Sequence, residues 1–279
     1  MRLALAGLSA RHPAARAGAA PALQGLDLQV AAGDALAVIG PSGAGKTTLL
    51  QVLACALAPA AGTLELDGAA PWRLPRRELQ RLRGRLFLAP QVPPLPPRHR
   101  VVTAVLAGRL PAMSLLASLR SLVYPSDLPA AHAALARFDL EGKLFERVDR
   151  LSGGERQRVA LARALVAPAR LWLVDEPLSA LDPTRARQAL AALADGARER
   201  GATLVASLHQ VEAALAQFPR IVGLREGRLL FDLPSARVTP DHLARLYAQH
   251  EDELRGERAP PLEPALPPAP TAAAAMQCR

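Results

Sequence analysis

Gly40-Pro41-Ser42-Gly43-Ala44-Gly45-Lys46-Thr47-Thr48 decides how this chain is read. The stretch fits the phosphate-binding loop pattern G-x-x-x-x-G-K-[ST] at every position. Gly40, Gly43 and Gly45 let the backbone curl so that successive N–H groups point inward at a polyphosphate. Lys46 can reach the β- and γ-phosphates as a point charge, and the Thr47 hydroxyl is an oxygen donor of the kind Mg²⁺ takes. The flanks agree with this reading. Ala35-Leu36-Ala37-Val38-Ile39 is a short apolar run, read as a buried strand. Thr47 to Leu57 reads as a helix whose N-terminal dipole adds to the anion site. A bare glycine-rich turn would account for the glycines but not for the lysine. Lys46 and Lys143 are the only lysines in a chain with 34 Lys and Arg residues, and one of the two stands on the required position. All nine residues, Gly40 through Thr48, are therefore candidate nucleotide contacts.

Working outward, 279 residues allow one large α/β domain or two small ones. Hydrophobic residues make up 50% of the chain and aromatics only 3%, so Ala and Leu must do most of the packing. The formal net charge is +9. Arg is spread along the chain with no Lys-rich tract and no aromatic interleaving, so no nucleic-acid surface is expected. The two cysteines, Cys55 and Cys278, give neither a disulfide framework nor a zinc spacing. Cys55 reads as a small core residue. No window reaches the ~18 uninterrupted apolar residues of a membrane span, and Met1 to Ala10 is too short for a signal peptide.

Further strands are expected at Leu3 to Leu8, Leu26 to Val30, Thr63 to Gly68 and Arg85 to Gln91. Leu171 to Asp175 and Thr203 to Leu208 are expected as buried strands, and Ile221 to Leu224 with Arg228 to Phe231 as a hairpin. Arg76 to Arg83 reads as a basic surface helix. Pro93-Pro94-Leu95-Pro96-Pro97 excludes regular helix and central strand. From Val101 to Leu165 the apolar spacing is mostly helical, with breaks near Pro111, Pro125 and Ser152. Strands and helices thus alternate at both ends around a helical block, which predicts a mainly parallel sheet with a helical insertion. From Glu251 onward, Pro, Ala, Glu and Arg dominate and a disordered tail is expected.

A second constellation narrows the family. Leu151-Ser152-Gly153-Gly154-Glu155 stands just before an expected helix, another place where exposed N–H groups and a dipole favour an anion. It is followed by Arg156 to Leu165 and then by a strand ending Asp175-Glu176-Pro177. This order resembles the ATP-binding subunit of ABC transporters over about Leu3 to Leu233. The phosphate loop is Gly40 to Thr47. Gln91 corresponds to the Q-loop glutamine, Leu151 to Glu155 to the signature loop (Glu155 replacing the more usual Gln), and Asp175 to the end of the Walker B strand. Glu176 corresponds to the catalytic carboxylate, Ser179-Ala180-Leu181-Asp182 to the D-loop, and His209 to the switch histidine.

The resemblance implies an α/β fold, a RecA-like P-loop NTPase core with antiparallel β elements and an inserted α-helical subdomain. It divides the chain into an ATP-binding domain over 1–250, with the core at about 1–90 and 166–250 and the helical subdomain at about 91–165, and a Pro/Ala-rich tail over 251–279. It implies ATP and Mg²⁺, with Thr47, Gln91 and Asp175 as metal ligands. Glu176, His209, Gln91 and Lys46 carry catalysis, and His12 stands where the family has an adenine-stacking aromatic. Two copies would pack head to tail, Ser152, Gly153 and Gly154 of one facing Lys46, Thr47, Asp175 and Glu176 of the other.

The residue chemistry runs parallel to the resemblance. Asp175 and Glu176 follow four apolar residues, which places both acids at the sheet edge where ligands bind. His209 follows another apolar strand and is expected at the same edge. The chain carries one cassette and no membrane span, and its phosphate and signature loops are too close for intervening coiled coils. A separate permease is implied, with an extracytoplasmic solute-binding protein acting indirectly and the chain peripheral on the cytoplasmic face of the membrane. Val102 to Leu110, Leu119 to Leu122, Ser207 to Val211, Arg220 to Arg228, Phe231-Asp232 and Leu243 to Tyr247 are most similar to the phosphonate importer ATPase group. Phosphate, phosphite or another small solute, and a non-transport ABC ATPase, are the alternatives. A nucleotide kinase would leave Leu151 to Glu155 and His209 without a role.

Overall fold

The computed structural model describes residues 1–12, 20–125 and 127–248. The expected tail, 251–279, lies outside the described residues. The elements are β1 (Leu3–Ala10), β2 (Leu23–Val30), β3 (Ala35–Ile39), α1 (Lys46–Leu53), β4 (Ala61–Leu66), α2 (Arg76–Arg83) and β5 (Leu86–Ala89). There follow α3 (Val101–Leu106), α4 (Leu115–Val123), α5 (Leu128–Ala136) and α6 (Gly153–Val166). The chain returns to the sheet through β6 (Leu171–Asp175), α7 (Pro183–Glu199), β7 (Thr203–Leu208), α8 (Val211–Gln217), β8 (Arg220–Arg225), β9 (Arg228–Pro234) and α9 (Pro240–Leu246).

Two sheets result. The larger has the order β5-β6-β7-β3-β8-β9, parallel except for the β8–β9 hairpin. The smaller, β2-β1-β4, is antiparallel. Strands β3, β6 and β7 are continuously apolar until near their ends because both faces of the large sheet are covered. Alternate residues serve two cores. Leu36, Val38, Leu171, Leu173 and Val205 join the core shared with the small sheet and α1. Ala37, Ile39, Trp172, Val174, Leu204 and Ala206 join the core shared with α3, α5, α6 and α7. With aromatics scarce, Trp172 is the largest fully buried side chain, and its indole N–H donates to the Ala169 carbonyl at 3.2 Å.

The expected elements are present with shifted ends. The first helix stops at Leu53 rather than Leu57, because Cys55 turns to φ +55° and Arg83 donates twice to its carbonyl, at 2.7 and 3.2 Å. Strand β5 stops at Ala89, since Pro90 has no N–H for a ladder. Strand β4 begins two residues earlier than expected and ends before a turn with Asp67 at φ +50° and Gly68 at φ +81°. The parallel arrangement brings the carboxyl ends of β3, β5, β6 and β7 to one edge, and each leads within two residues into a residue singled out above.

Candidate nucleotide site

The loop after β3 is shaped by two glycines that nothing larger can replace. Gly40 has φ +154°, and a Cβ there would lie 2.0 Å from the Leu224 carbonyl oxygen. Gly45 has φ +104°, and its Cβ would lie 2.6 Å from the Ala22 oxygen. The loop is thereby wedged between the hairpin strand β8 and the start of β2. Pro41 and Ala44 are buried and Ser42 and Gly43 exposed. Gly45 is the N-cap of α1 and, being glycine, offers no side-chain cap to the first N–H groups of that helix. The Lys46 side chain is buried and curls over its own loop, its Nζ donating to the Gly40 carbonyl at 2.7 Å and the Pro41 carbonyl at 3.2 Å. Thr47 stands half-buried in the first turn of α1, and Thr48 is buried beneath it.

The second group forms where β5, β6 and β7 end. Asp175 is buried and accepts a 2.6 Å hydrogen bond from the Ser207 hydroxyl at Oδ1. Glu176 adopts φ +46°, a left-handed conformation that costs a non-glycine residue about 1–3 kcal/mol. Its N–H donates to the Ser207 hydroxyl at 3.0 Å and the Ser207 carbonyl at 3.2 Å. The turn aims its carboxylate at two partners. Gln91 Nε2 donates to Oε2 at 2.7 Å, and His209 Nε2 bonds to Oε1. The Glu176 side chain is only 11% exposed, so these contacts are partly shielded from solvent screening. Gln91, Glu176 and His209, far apart in sequence, thus make one cluster.

Ser207 stands within an expected strand and a family-like stretch, but no sequence motif gave it a role in the site. A lone hydroxyl in the buried run Leu204-Val205-Ala206-Ser207-Leu208 is the signal that could have found it, since a buried hydroxyl needs a partner.

The signature loop has a different neighbourhood. Ser152 caps α6, its hydroxyl accepting from the Glu155 N–H at 3.2 Å, while the Ser152 N–H donates to Glu155 Oε2 at 2.8 Å. That reciprocal box explains the Glu at this position. The hydrogen bond from Ser152 N–H holds the Glu155 carboxyl below its usual range, against partial burial, with Lys143 and Arg158 assisting. A Cβ on Gly154 would lie 2.9 Å from the Ala180 oxygen, so glycine lets the loop pack on Ser179–Asp182. Within one chain, then, Gly153 and Gly154 pack on Ala180 and Leu181, and the phosphate loop packs on Ala22, Leu23 and Leu224.

His12 is exposed just past the end of β1. Ala10 pairs with Leu23, whose side chain limits the space at Gly45 to 2.9 Å. The end of β1 therefore lies beside the segment that packs on the phosphate loop, and His12 stands two residues beyond that end.

Comparison with known proteins agrees with this fold. The family model described as ABC transporter matches residues 23–179. The phosphonates import ATP-binding protein PhnC of Polaromonas sp. strain JS666 is 66% identical over 279 residues, 100% of both chains. PhnC 2 of Albidiferax ferrireducens is 67% identical over 256 residues, 92% of each. Among solved structures, the dimeric post-hydrolysis state of the ATP-binding cassette MJ0796 bound to ADP and Pi superimposes with a TM-score of 0.71 at 26% identity, over 84% of this chain and 98% of that one. A metal-chelate type ABC transporter in an inward-facing conformation gives 0.70 at 27% identity, over 88% of each chain. The chain belongs to the ABC transporter family, in which it is an ATP-binding subunit with ATPase activity.

Proposed function

We propose that this chain is the ATP-hydrolysing subunit of a phosphonate importer, acting as a head-to-tail pair beneath a separate membrane permease. The observation that carries the motor reading is the convergence of Gln91 and His209 on the two oxygens of Glu176, at the sheet edge that also bears the phosphate loop. The solute reading is supported by full-length relatives named for phosphonate import at 66% identity. The paired state is supported by the dimeric form of the related cassette. About 1–90 and 166–250 form the motor core in this reading, and about 91–165 the helical subdomain that meets the permease. Large exposed side chains on that segment, Val92 beside Gln91 and Leu115, Leu116 and Leu119 on α4, support a partner surface there. Among the described residues no helix is long and apolar enough to cross a membrane. The permease would supply the path, and the chain would sit on the cytoplasmic face.

In this mechanism the curled loop N–H groups and Lys46 bind the β- and γ-phosphates, and His12 offers a stacking face to adenine. The Thr47 hydroxyl, the Asp175 carboxylate and the Gln91 amide oxygen would hold Mg²⁺. They are hard oxygen donors, and among the described residues no three His, Cys, Asp or Glu side chains converge into a cage. Such a site suits an ion that keeps phosphate and water ligands. When bound, Mg²⁺ neutralises charge on the phosphates. Glu176 takes a proton from the attacking water onto a carboxylate oxygen. The water oxygen bonds to the γ-phosphorus as the bond to the β–γ bridging oxygen breaks, leaving ADP and phosphate. His209 and Gln91 orient the carboxylate, and His209 contacts the γ-phosphate. Ser152, Gly153 and Gly154 of the second copy close the site from the other side.

Glu176→Gln keeps the shape and removes the base. Turnover should fall by about 10²–10⁴-fold, and the variant should elute as an ATP-bound dimer in size-exclusion chromatography. A variant that stays monomeric in excess Mg-ATP argues against the sandwich. A deletion strain should fail to grow on a phosphonate as sole phosphorus source while growing on inorganic phosphate. Wild type should restore growth and Glu176→Gln should not. Normal growth on several phosphonates, with no redundant system, would transfer the solute assignment to phosphate or another small anion.

A further inference from the structure

Strand β7 holds Glu176 at both ends. Its carboxylate meets His209, which follows the strand, and its backbone N–H meets Ser207 within it. The Ser207 hydroxyl does two things at once. It accepts from the Glu176 N–H at 3.0 Å and donates to Asp175 Oδ1 at 2.6 Å. Asp175 and Ser207 are paired neighbours in the parallel β6–β7 register, so the hydroxyl bridges the point where β6 leaves the sheet. It does so in a fully buried position, where an unbonded hydroxyl would be costly. The next residue is Glu176 in its left-handed conformation.

We infer that Ser207 is a positioning residue for ATP hydrolysis, which ties the proposed metal-binding carboxylate and the proposed general base into one rigid unit. The inference rests on the roles proposed above for Asp175 and Glu176. By engaging Oδ1, the Ser207 hydroxyl fixes the rotation of the Asp175 carboxylate and leaves Oδ2 without a protein hydrogen bond among the described residues. By engaging the Glu176 N–H, it fixes the peptide that sets the direction of the base. Without the hydroxyl, the Ser207 carbonyl still accepts from the same N–H at 3.2 Å, so the strand pairing survives while the carboxylate loses its anchor. The expected defect is therefore in geometry, not in folding.

The test compares Ser207→Ala, Ser207→Thr and Glu176→Gln in the full chain, measuring kcat and KM for ATP, the Mg²⁺ concentration for half-maximal turnover, and ATP affinity in EDTA. Ser207→Ala should lower kcat about tenfold to a hundredfold, the scale of a small misplacement of reacting groups. It should raise the Mg²⁺ requirement severalfold and leave ATP affinity in EDTA and the melting temperature near wild type. Ser207→Thr keeps the hydroxyl and should recover most of kcat. Wild-type kcat and Mg²⁺ dependence in Ser207→Ala would overturn the inference. So would a loss of EDTA-insensitive ATP binding in proportion to kcat, which would mark a purely structural hydroxyl, or a Thr variant that binds ATP normally in EDTA yet turns over as slowly as Ala. Glu176→Gln separates this from the underlying reading: if it keeps full turnover, the catalytic assignment itself fails. If it is inactive while Ser207→Ala is normal, only the role of Ser207 fails.

Discussion

The molecule has two glycine-rich loops that each open a helix, and they treat the helix N-terminus in opposite ways. The loop before α1 ends in Gly45 at φ +104° and provides no side-chain cap. The loop before α6 ends in Ser152, which caps the helix through a reciprocal box with Glu155. A helix start with no internal cap keeps its N–H groups for a ligand, and a strained glycine conformation holds them in place. A capped start is a stable surface instead, its serine hydroxyl engaged by the Glu155 N–H and by the Glu155 carboxylate. In the proposed function, the first design suits the phosphate-binding side of the site, and the second suits a face presented to another copy.

Changes at the two loops should therefore differ in kind. Lys46→Ala strikes the uncapped loop and should have the largest effect, lowering turnover by about 10²–10³-fold, the scale of losing one charged stabiliser of the transition state. It should also weaken ATP binding in the isolated chain, and phosphate release with equilibrium binding would show both. Normal turnover would remove the site assignment. Ser152→Ala should lower helix stability by about 1 kcal/mol, as loss of an N-cap does, seen as a drop in melting temperature of about 2–4 °C. Its ATP affinity at low protein concentration should match wild type while dimer-dependent turnover falls. A loss of monomer affinity equal to that of Lys46→Ala would erase the contrast between the loops.

Glu155→Gln is milder, since an amide oxygen can still accept from the Ser152 N–H. The Glu155 carboxyl is held below the usual glutamate range in the folded chain, so its contribution is present above that range and is lost as pH falls through the folded value. The stability difference between wild type and Glu155→Gln should thus shrink in acid, as denaturant titrations at several pH values would reveal. A constant difference would mean that the charge has no part in the cap.

An effect confined to alkaline pH belongs to the far end of α1. Burial pushes the Cys55 thiol up to about 11 from 9.0, although Arg83 pulls the other way. A raised thiol value means stability that is intact below pH 9 and declines as pH rises towards 11, at about 1.4 kcal/mol per unit at most. Cys55 should react slowly with thiol reagents at pH 8 in the folded chain and rapidly in denaturant. Fast labelling in the folded chain would show that this end of α1 opens.

Much of the site was legible because its parts are local patterns. The phosphate loop needs its glycines, lysine and threonine at fixed spacing, and buried parallel strands need apolar runs; both are written in consecutive residues. Gln91 was legible by its place after a strand, but its strand ends at Ala89, and its bond to Glu176 depends on the β5–β6 pairing. The helix after the phosphate loop reads as continuing to Leu57. It ends at Leu53 because Cys55 turns left-handed and Arg83, from α2, takes its carbonyl, a contact that local propensity does not contain. Ser207 stayed hidden for a related reason. In sequence it is one small polar residue in an apolar strand, and its meaning comes from the strand beside it.

The sequence by itself determined the candidate nucleotide loop, the order of the motifs and the alternation that requires a covered parallel sheet, since each follows from backbone periodicity and side-chain chemistry over a few residues. Only the tertiary structure decided which distant groups meet. Placing β5, β6, β7 and β3 side by side brought Gln91, Glu176 and His209 together, set Ser207 under Asp175, and turned the phosphate and signature loops to different neighbours. Those contacts depend on strand order and register, which arise from packing across the whole core and not from any one segment.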